Sequence, residues 1–127
     1  MINLLLVMAG GAIGSALRYG VSVALPTAST SFPAATILVN IIGSFILGFI
    51  IGTVGTPLEL HPQMRLLLGS GLCGGFTTYS AFAVESAMLL EHREPLVMGT
   101  YVVSTIVGCG LAALAGIALS RSIAHSQ

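Results

Sequence analysis

Tryptophan, lysine and aspartate are all absent from this chain of 127 residues, and only 6% of its residues carry a charge. A soluble domain carries about 25% charged residues, so this composition excludes an ordinary water-facing surface. The four arginines are matched by four glutamates, which leaves no basic patch for nucleic acid and no acidic tail. The sequence contains no nucleophile–base pair, phosphate loop or metal-binding motif, so we do not expect an enzyme.

Cysteine is also scarce. Cys73 and Cys109 lie far apart in apolar stretches, with no C-x-x-C spacing and no neighbouring histidine cluster. They are therefore expected to be small packing residues, and neither a disulfide nor a metal site is predicted from them.

What the chain has in abundance is apolar length, with a mean hydropathy of +1.02. Four stretches, at residues 2–25, 34–54, 64–90 and 96–120, are each long enough to cross the ~30 Å hydrocarbon core of a bilayer. The connections between them contain prolines and are too short for a soluble domain. The prediction is an all-α integral membrane protein, with residues 1–127 forming a single domain of four transmembrane helices.

The arginines are distributed almost evenly between the two sides of such a membrane domain. Arg65 and Arg121 fall on one side, and Arg93 with the span-end residue Arg18 on the other. The positive-inside rule then gives almost no bias, so the chain can insert in both orientations. Dual topology permits an antiparallel homodimer with a two-fold axis in the membrane plane.

The third stretch contains a segment with poor helix propensity, in which Gly71, Gly74 and Gly75 precede Thr77 and Thr78. A break at mid-membrane would free backbone carbonyls that protein, water or an ion must satisfy. The same small residues are also typical of a tight helix crossing, and the pattern alone leaves both interpretations open.

Two stretches carry polar or small residues at every fourth position. These are Thr36, Asn40 and Ser44 in the second stretch, continued by Gly48 and Gly52, and Tyr101, Thr105 and Cys109 in the fourth. Such a stripe can line an anion pathway, where each donor replaces part of the hydration shell. It can equally be a helix–helix interface, with Asn40 as interhelical glue.

Tyr79 and Phe82 share a helix face just after the predicted break. An aromatic ring has a positive edge that can face an anion without binding it as tightly as a full charge would, although packing is the commoner role. Glu85 is an ionisable group inside the third stretch and is a functional candidate for that reason. Arg18 can either snorkel to the interface as an anchor or line a vestibule that attracts anions.

At these residues the sequence resembles the Fluc (CrcB) family of fluoride channels, also called fluoride exporters. The resemblance covers nearly the whole chain and rests on three motifs, of which the third is highly specific. They are Gly10-Gly11-x-x-Gly14-x-x-x-Arg18-Tyr19, Thr36-x-x-Val39-Asn40-x-x-Gly43-Ser44-Phe45 and Gly71-x-Cys73-Gly74-Gly75-Phe76-Thr77-Thr78-Tyr79-Ser80-x-Phe82-x-x-Glu85.

The resemblance implies a dual-topology homodimer in the cell (inner or plasma) membrane, with two fluoride pores. It also implies a structural sodium ion at the dimer centre, held by backbone carbonyls that map to Gly74 and Thr77 of both subunits. The implied pore residues are Asn40, Ser80, Phe82 and the pair Tyr101 and Thr105. Tyr79 stands where the family has a phenylalanine, and Ala81 and Cys109 stand where members often have a hydroxyl.

Fluoride export by a passive channel is consistent with simple physical chemistry. Acid outside the cell converts fluoride to membrane-permeant HF, which ionises again inside, and the membrane potential then drives the anion out. Two other classes are compatible with four spans, a small multidrug-type transporter and a non-transporting membrane assembly subunit. The transporter class is expected to carry a carboxylate in the first span, and this chain has none there.

Overall fold

The computed structural model describes residues 1–26 and 32–126, and the regular secondary structure of this part of the chain is all helical, with no strand. The first two helices are α1 (Ile2–Ala24) and α2 (Ala34–Gly52). The third span is divided among α3 (Pro62–Arg65), a π-helical segment (Leu66–Cys73), α4 (Gly74–Phe76) and α5 (Tyr79–Glu91). The last helix is α6 (Pro95–His125). The prediction of four helices with the third broken is confirmed.

Three of the helices, α1, α2 and α6, are long and apolar enough to cross a membrane. None of the pieces of the third span reaches that length alone, because the chain is extended at Thr77 (ψ 160°) and Thr78 (φ −151°). The exposed surface is rich in large apolar side chains, such as Leu4, Met8 and Leu114, which is the arrangement that lipid contact requires. The chain is therefore a multi-pass membrane protein.

The fourth helix continues beyond the apolar stretch that predicts it. At 1.5 Å per residue the 31 residues of α6 extend over about 46 Å, more than the hydrocarbon core requires. No glycine or proline follows Gly116 to stop the helix, so it runs through Arg121 and ends at His125.

Glycines set the packing of the helices in two pairs. Against α1, a Cβ on Gly14 would collide with the Leu72 carbonyl oxygen of the third span. Between α2 and α6, a Cβ on Gly116 would collide with the Phe45 carbonyl oxygen. Both pairs of backbones are in direct contact, as expected for small residues at membrane helix crossings. The third-span glycines Gly71, Gly74 and Gly75 lie in helical segments. The break comes after them, at Thr77 and Thr78.

Candidate functional site

The break in the third helix is fixed by an amide from α2. Asn40 Oδ1 accepts a hydrogen bond from the Thr78 backbone N–H at 2.7 Å, and Asn40 Nδ2 donates to the Thr78 carbonyl oxygen at 3.0 Å. Asn40 is 8% exposed, so this paired contact lies inside the protein. Thr78 also caps the N-terminus of α5, where its hydroxyl oxygen accepts the Ala81 N–H at 3.2 Å. One side chain therefore satisfies both backbone groups of the extended residue.

The break redirects amides away from the carbonyls that precede it. In an unbroken helix the Thr78 N–H would point at the Gly74 oxygen, and the Ala81 N–H at the Thr77 oxygen. Both amides donate elsewhere, to Asn40 and to the Thr78 hydroxyl. Gly74 is exposed, and a Cβ on it would meet no atom of another segment within 4 Å. A carbonyl set of this kind fits a hard cation such as sodium, which prefers oxygen ligands.

Arg18 lies at the same break. Its Nε donates to the Gly75 carbonyl oxygen at 3.0 Å, across the contact between α1 and α4. The side chain is half-buried. The sequence left two interpretations open, an anchor at the membrane interface and a vestibule residue. The structure adds a contact that neither interpretation includes, with the backbone of the broken helix.

A second polar cluster is centred on the carboxylate of Glu85. Thr36 on α2 donates to Oε1 at 2.8 Å, and the Tyr101 hydroxyl on α6 donates to Oε2 at 2.6 Å. Tyr101 is completely buried and Thr36 is 6% exposed. Two helices, α2 and α6, thus each contribute a hydroxyl donor to the carboxylate on α5, which would otherwise be costly to bury.

Aromatic rings connect this cluster to the break. The ring centroids of Tyr101 and Phe82 are 5.3 Å apart, and those of Phe82 and Tyr79 are 5.8 Å apart. Phe32 also packs against Tyr101 in an edge-on arrangement, with ring centroids 5.7 Å apart and an interplanar angle of 83°. Tyr79 stands at the far end of this aromatic run and is 80% exposed. Such spacings are those of favourable edge and offset contacts between rings.

A groove of about 370 Å³ opens along the break between α2, the third span and α6. Eight of the predicted pore and sodium-site residues line it: Asn40, Ser44, Gly74, Thr77, Tyr79, Phe82, Thr105 and Cys109. A second groove of about 510 Å³ shares Leu47 and Gly69 with the first and leads towards Arg65. The two grooves are therefore adjacent.

The remaining sequence-predicted residues are placed outside this groove. Thr36, Glu85 and Tyr101 form the carboxylate cluster, and Ser80 is exposed, with its hydroxyl 3.3 Å from that of Thr78. Thr105 reaches the groove, but its hydroxyl donates to the Tyr101 carbonyl oxygen of its own helix at 2.7 Å.

Sequence reasoning did not single out Phe32. The available signal was its position one residue before Pro33 and four before Thr36, in a chain with 6% aromatic residues.

Known proteins resemble this chain over nearly its whole length. Residues 5–117 match the family described as CrcB-like protein, Camphor Resistance (CrcB). The chain is 46% identical over 114 residues to the fluoride-specific ion channel FluC of Chlorobaculum tepidum, with 90% of each chain covered. It is 41% identical to the FluC of Rhizobium meliloti, over 97% of this chain and 99% of that one.

Proposed function

This chain belongs to the CrcB family, whose relatives are named fluoride-specific ion channels, and on that premise we propose that it conducts fluoride across a lipid bilayer by passive electrodiffusion. The observation that carries the proposal is the groove along the broken third helix, which contains an amide, hydroxyls and aromatic rings. Fluoride is small and strongly hydrated, so a selective path needs donors at close quarters. In a bacterial cell the expected location is the inner membrane, and the expected benefit is resistance to fluoride.

The electrostatics of the groove favour passage over capture. Among the described residues, those that line the 370 Å³ groove include no arginine, so an anion there meets no full positive charge. The nearest full charge on the aromatic run is the Glu85 carboxylate, which engages Thr36 and Tyr101. A fluoride ion that reaches this cluster competes with the carboxylate for the same two hydroxyls. Weak, shared donors allow an ion to leave as readily as it arrives.

We also propose that the functional unit is an antiparallel homodimer with two pores. The support is the balance of arginines between the two ends and the exposure of the groove and of the Tyr79 ring on one face of the chain. A second copy in the opposite orientation would cover this face and supply the missing wall. Labelling tests it: a single cysteine in the 57–62 loop, with Cys73 and Cys109 replaced, should be about half accessible to an impermeant reagent. Labelling near zero or near completion would exclude dual topology.

A structural sodium ion at the dimer centre is part of the same proposal. The carbonyl oxygens of Gly74 and Thr77 from both copies would hold it, because the amides that normally engage them donate elsewhere. The ion would supply positive charge that ties together two broken helices whose oxygens would otherwise repel each other. Replacing sodium with N-methylglucamine during purification should then lower the thermal stability of the dimer.

Fluoride efflux from proteoliposomes tests the function. Vesicles loaded with potassium fluoride should release little fluoride until a potassium ionophore is added, because electrodiffusion of an anion stops when charge accumulates. Chloride-loaded vesicles should release much less anion under the same conditions. Fluoride release that does not depend on the ionophore would indicate a neutral or proton-coupled transporter. Release no faster than from protein-free vesicles would favour an assembly subunit.

A further inference from the structure

Tyr101 contacts two aromatic rings and also donates a hydrogen bond to Glu85. The ring centroids of Tyr101 and Phe82 are 5.3 Å apart, and those of Tyr101 and Phe32 are 5.7 Å apart in an edge-on arrangement. The Tyr101 side chain is completely buried, whereas Phe32 is 39% exposed. Phe32 is thus a partly exposed ring at the Tyr101 end of the aromatic run, opposite the Tyr79 end.

The backbone around Phe32 is constrained. Pro33 follows it at the start of α2, and a residue before proline is restricted to extended conformations. The Phe32 carbonyl oxygen also accepts the Ala34 N–H at 2.8 Å. Thr36, one turn further along α2, donates to the same Glu85 carboxylate as Tyr101. The beginning of α2 therefore contributes one donor to the cluster and one ring that packs against Tyr101.

We propose that Phe32 is a positioning residue for fluoride conduction, acting through its edge-on contact with Tyr101 to keep the Tyr101 hydroxyl aimed at the Glu85 site. The inference rests on the proposed function and extends it to a residue that does not line the groove. Without the ring, Tyr101 loses this contact, and its hydroxyl is less often aligned with the Glu85 carboxylate. An aliphatic side chain fills part of the space but offers no complementary ring face or edge.

Fluoride efflux from vesicles containing position-32 variants tests the proposal. We expect Phe32→Leu and Phe32→Met to lower the rate about threefold to tenfold, the range that one aromatic pair contributes. Phe32→Tyr and Phe32→Trp should restore it to within about twofold, because they keep the ring. Two aliphatic variants are used so that the comparison does not depend on the folding of either one. Phe49→Leu is the matched control, since Phe49 lies on α2 outside the aromatic run.

Two further readouts separate positioning from simple structural support. The melting temperatures of Phe32→Leu and Phe49→Leu should fall by similar amounts, while only the first loses flux. In a Tyr101→Phe background, Phe32→Leu should change the remaining rate by less than about twofold, because the hydroxyl it positions is gone. Aliphatic variants that conduct like the parent, or a loss repeated in full without the Tyr101 hydroxyl, would overturn the proposal. A parent protein that fails to conduct would instead contradict the channel function itself.

Discussion

In α2, residues spaced four apart along one stripe meet two different neighbours. In the first half, Thr36 donates to Glu85 and Asn40 engages the Thr78 backbone, so the stripe makes hydrogen bonds with the third span. In the second half, a Cβ on Gly48 would collide with the Ala113 carbonyl oxygen of α6, so the stripe is there a packing surface. The same periodicity therefore serves a site at one end of the helix and a close helix crossing at the other.

Whether a stripe of polar or small residues makes hydrogen bonds or packs closely therefore depends on the neighbouring helix. Where the neighbour is broken, its backbone groups need partners, and amide or hydroxyl side chains supply them. Where the neighbour is an intact helix, its backbone is already satisfied, and only close approach remains to be gained. Substitutions in the two halves should accordingly affect different measurements.

The largest expected effect is in the packing half. Gly116→Val places side-chain atoms against the backbone of α2, since even a Cβ at this position would collide with the Phe45 carbonyl oxygen. Backbone cannot move aside as a flexible side chain can, so we expect little folded protein, measured by size-exclusion chromatography in detergent and by thermal melting. Gly110→Ala is the control on the same helix, where a Cβ would have no neighbour within 4 Å. Equal yields of the two variants would contradict the packing account.

Next in size are aliphatic substitutions in the aromatic run. We expect Phe82→Ile and Tyr79→Ile to fold but to be nearly inactive in fluoride efflux, because an aliphatic side chain has no positive edge. The Tyr79 side chain is 80% exposed, and the ring edge is the part that the resemblance assigns to the anion. Tyr79→Phe should therefore conduct within a few-fold of the parent. A Phe variant as impaired as the Ile variant would show that the hydroxyl carries the function.

A smaller effect is expected from the donor on Glu85 in the first half of α2. Thr36→Val keeps the shape of the side chain and removes the hydrogen bond to Oε1. A bond to a charged partner contributes roughly 1.5–3 kcal/mol, so the flux should fall about tenfold or more, with Thr36→Ser retaining most of it. Thr100→Val removes a hydroxyl that donates only to its own helix, at Leu96, and should leave the efflux rate unchanged. Similar losses for the two valine variants would remove the distinction between site and scaffold.

Much of this arrangement follows from the sequence, because membrane length and the four-residue spacing are local properties. Poor helix propensity made a break in the third span one of two open interpretations, and the cost of unpaired polar groups in lipid drew attention to Thr36 and Asn40. The partners could not be identified in this way. That Asn40 holds the Thr78 backbone, and that Glu85 receives both Thr36 and Tyr101, depends on how three helices approach one another.

Two features had little or no signal in the sequence. The π-helical turns at Leu66–Cys73 depend on the fit between the third span and α1, where glycines bring the backbones together. Phe32 lies outside every helix, so helical periodicity does not bring it to the face that carries Tyr101. Its role depends on a tertiary contact and on the restriction that Pro33 imposes.

The central claim is that fluoride passes at the helix break that Asn40 holds in place. Ionophore-triggered fluoride efflux from vesicles that contain equal amounts of folded parent protein or Asn40→Ala tests it most directly. We expect rapid release for the parent and severely reduced release for the variant, because its Thr78 backbone has lost both hydrogen bonds to the Asn40 side chain. An Asn40→Ala protein that conducts like the parent, or one whose only defect is loss of the dimer while the residual dimer conducts normally, would contradict it.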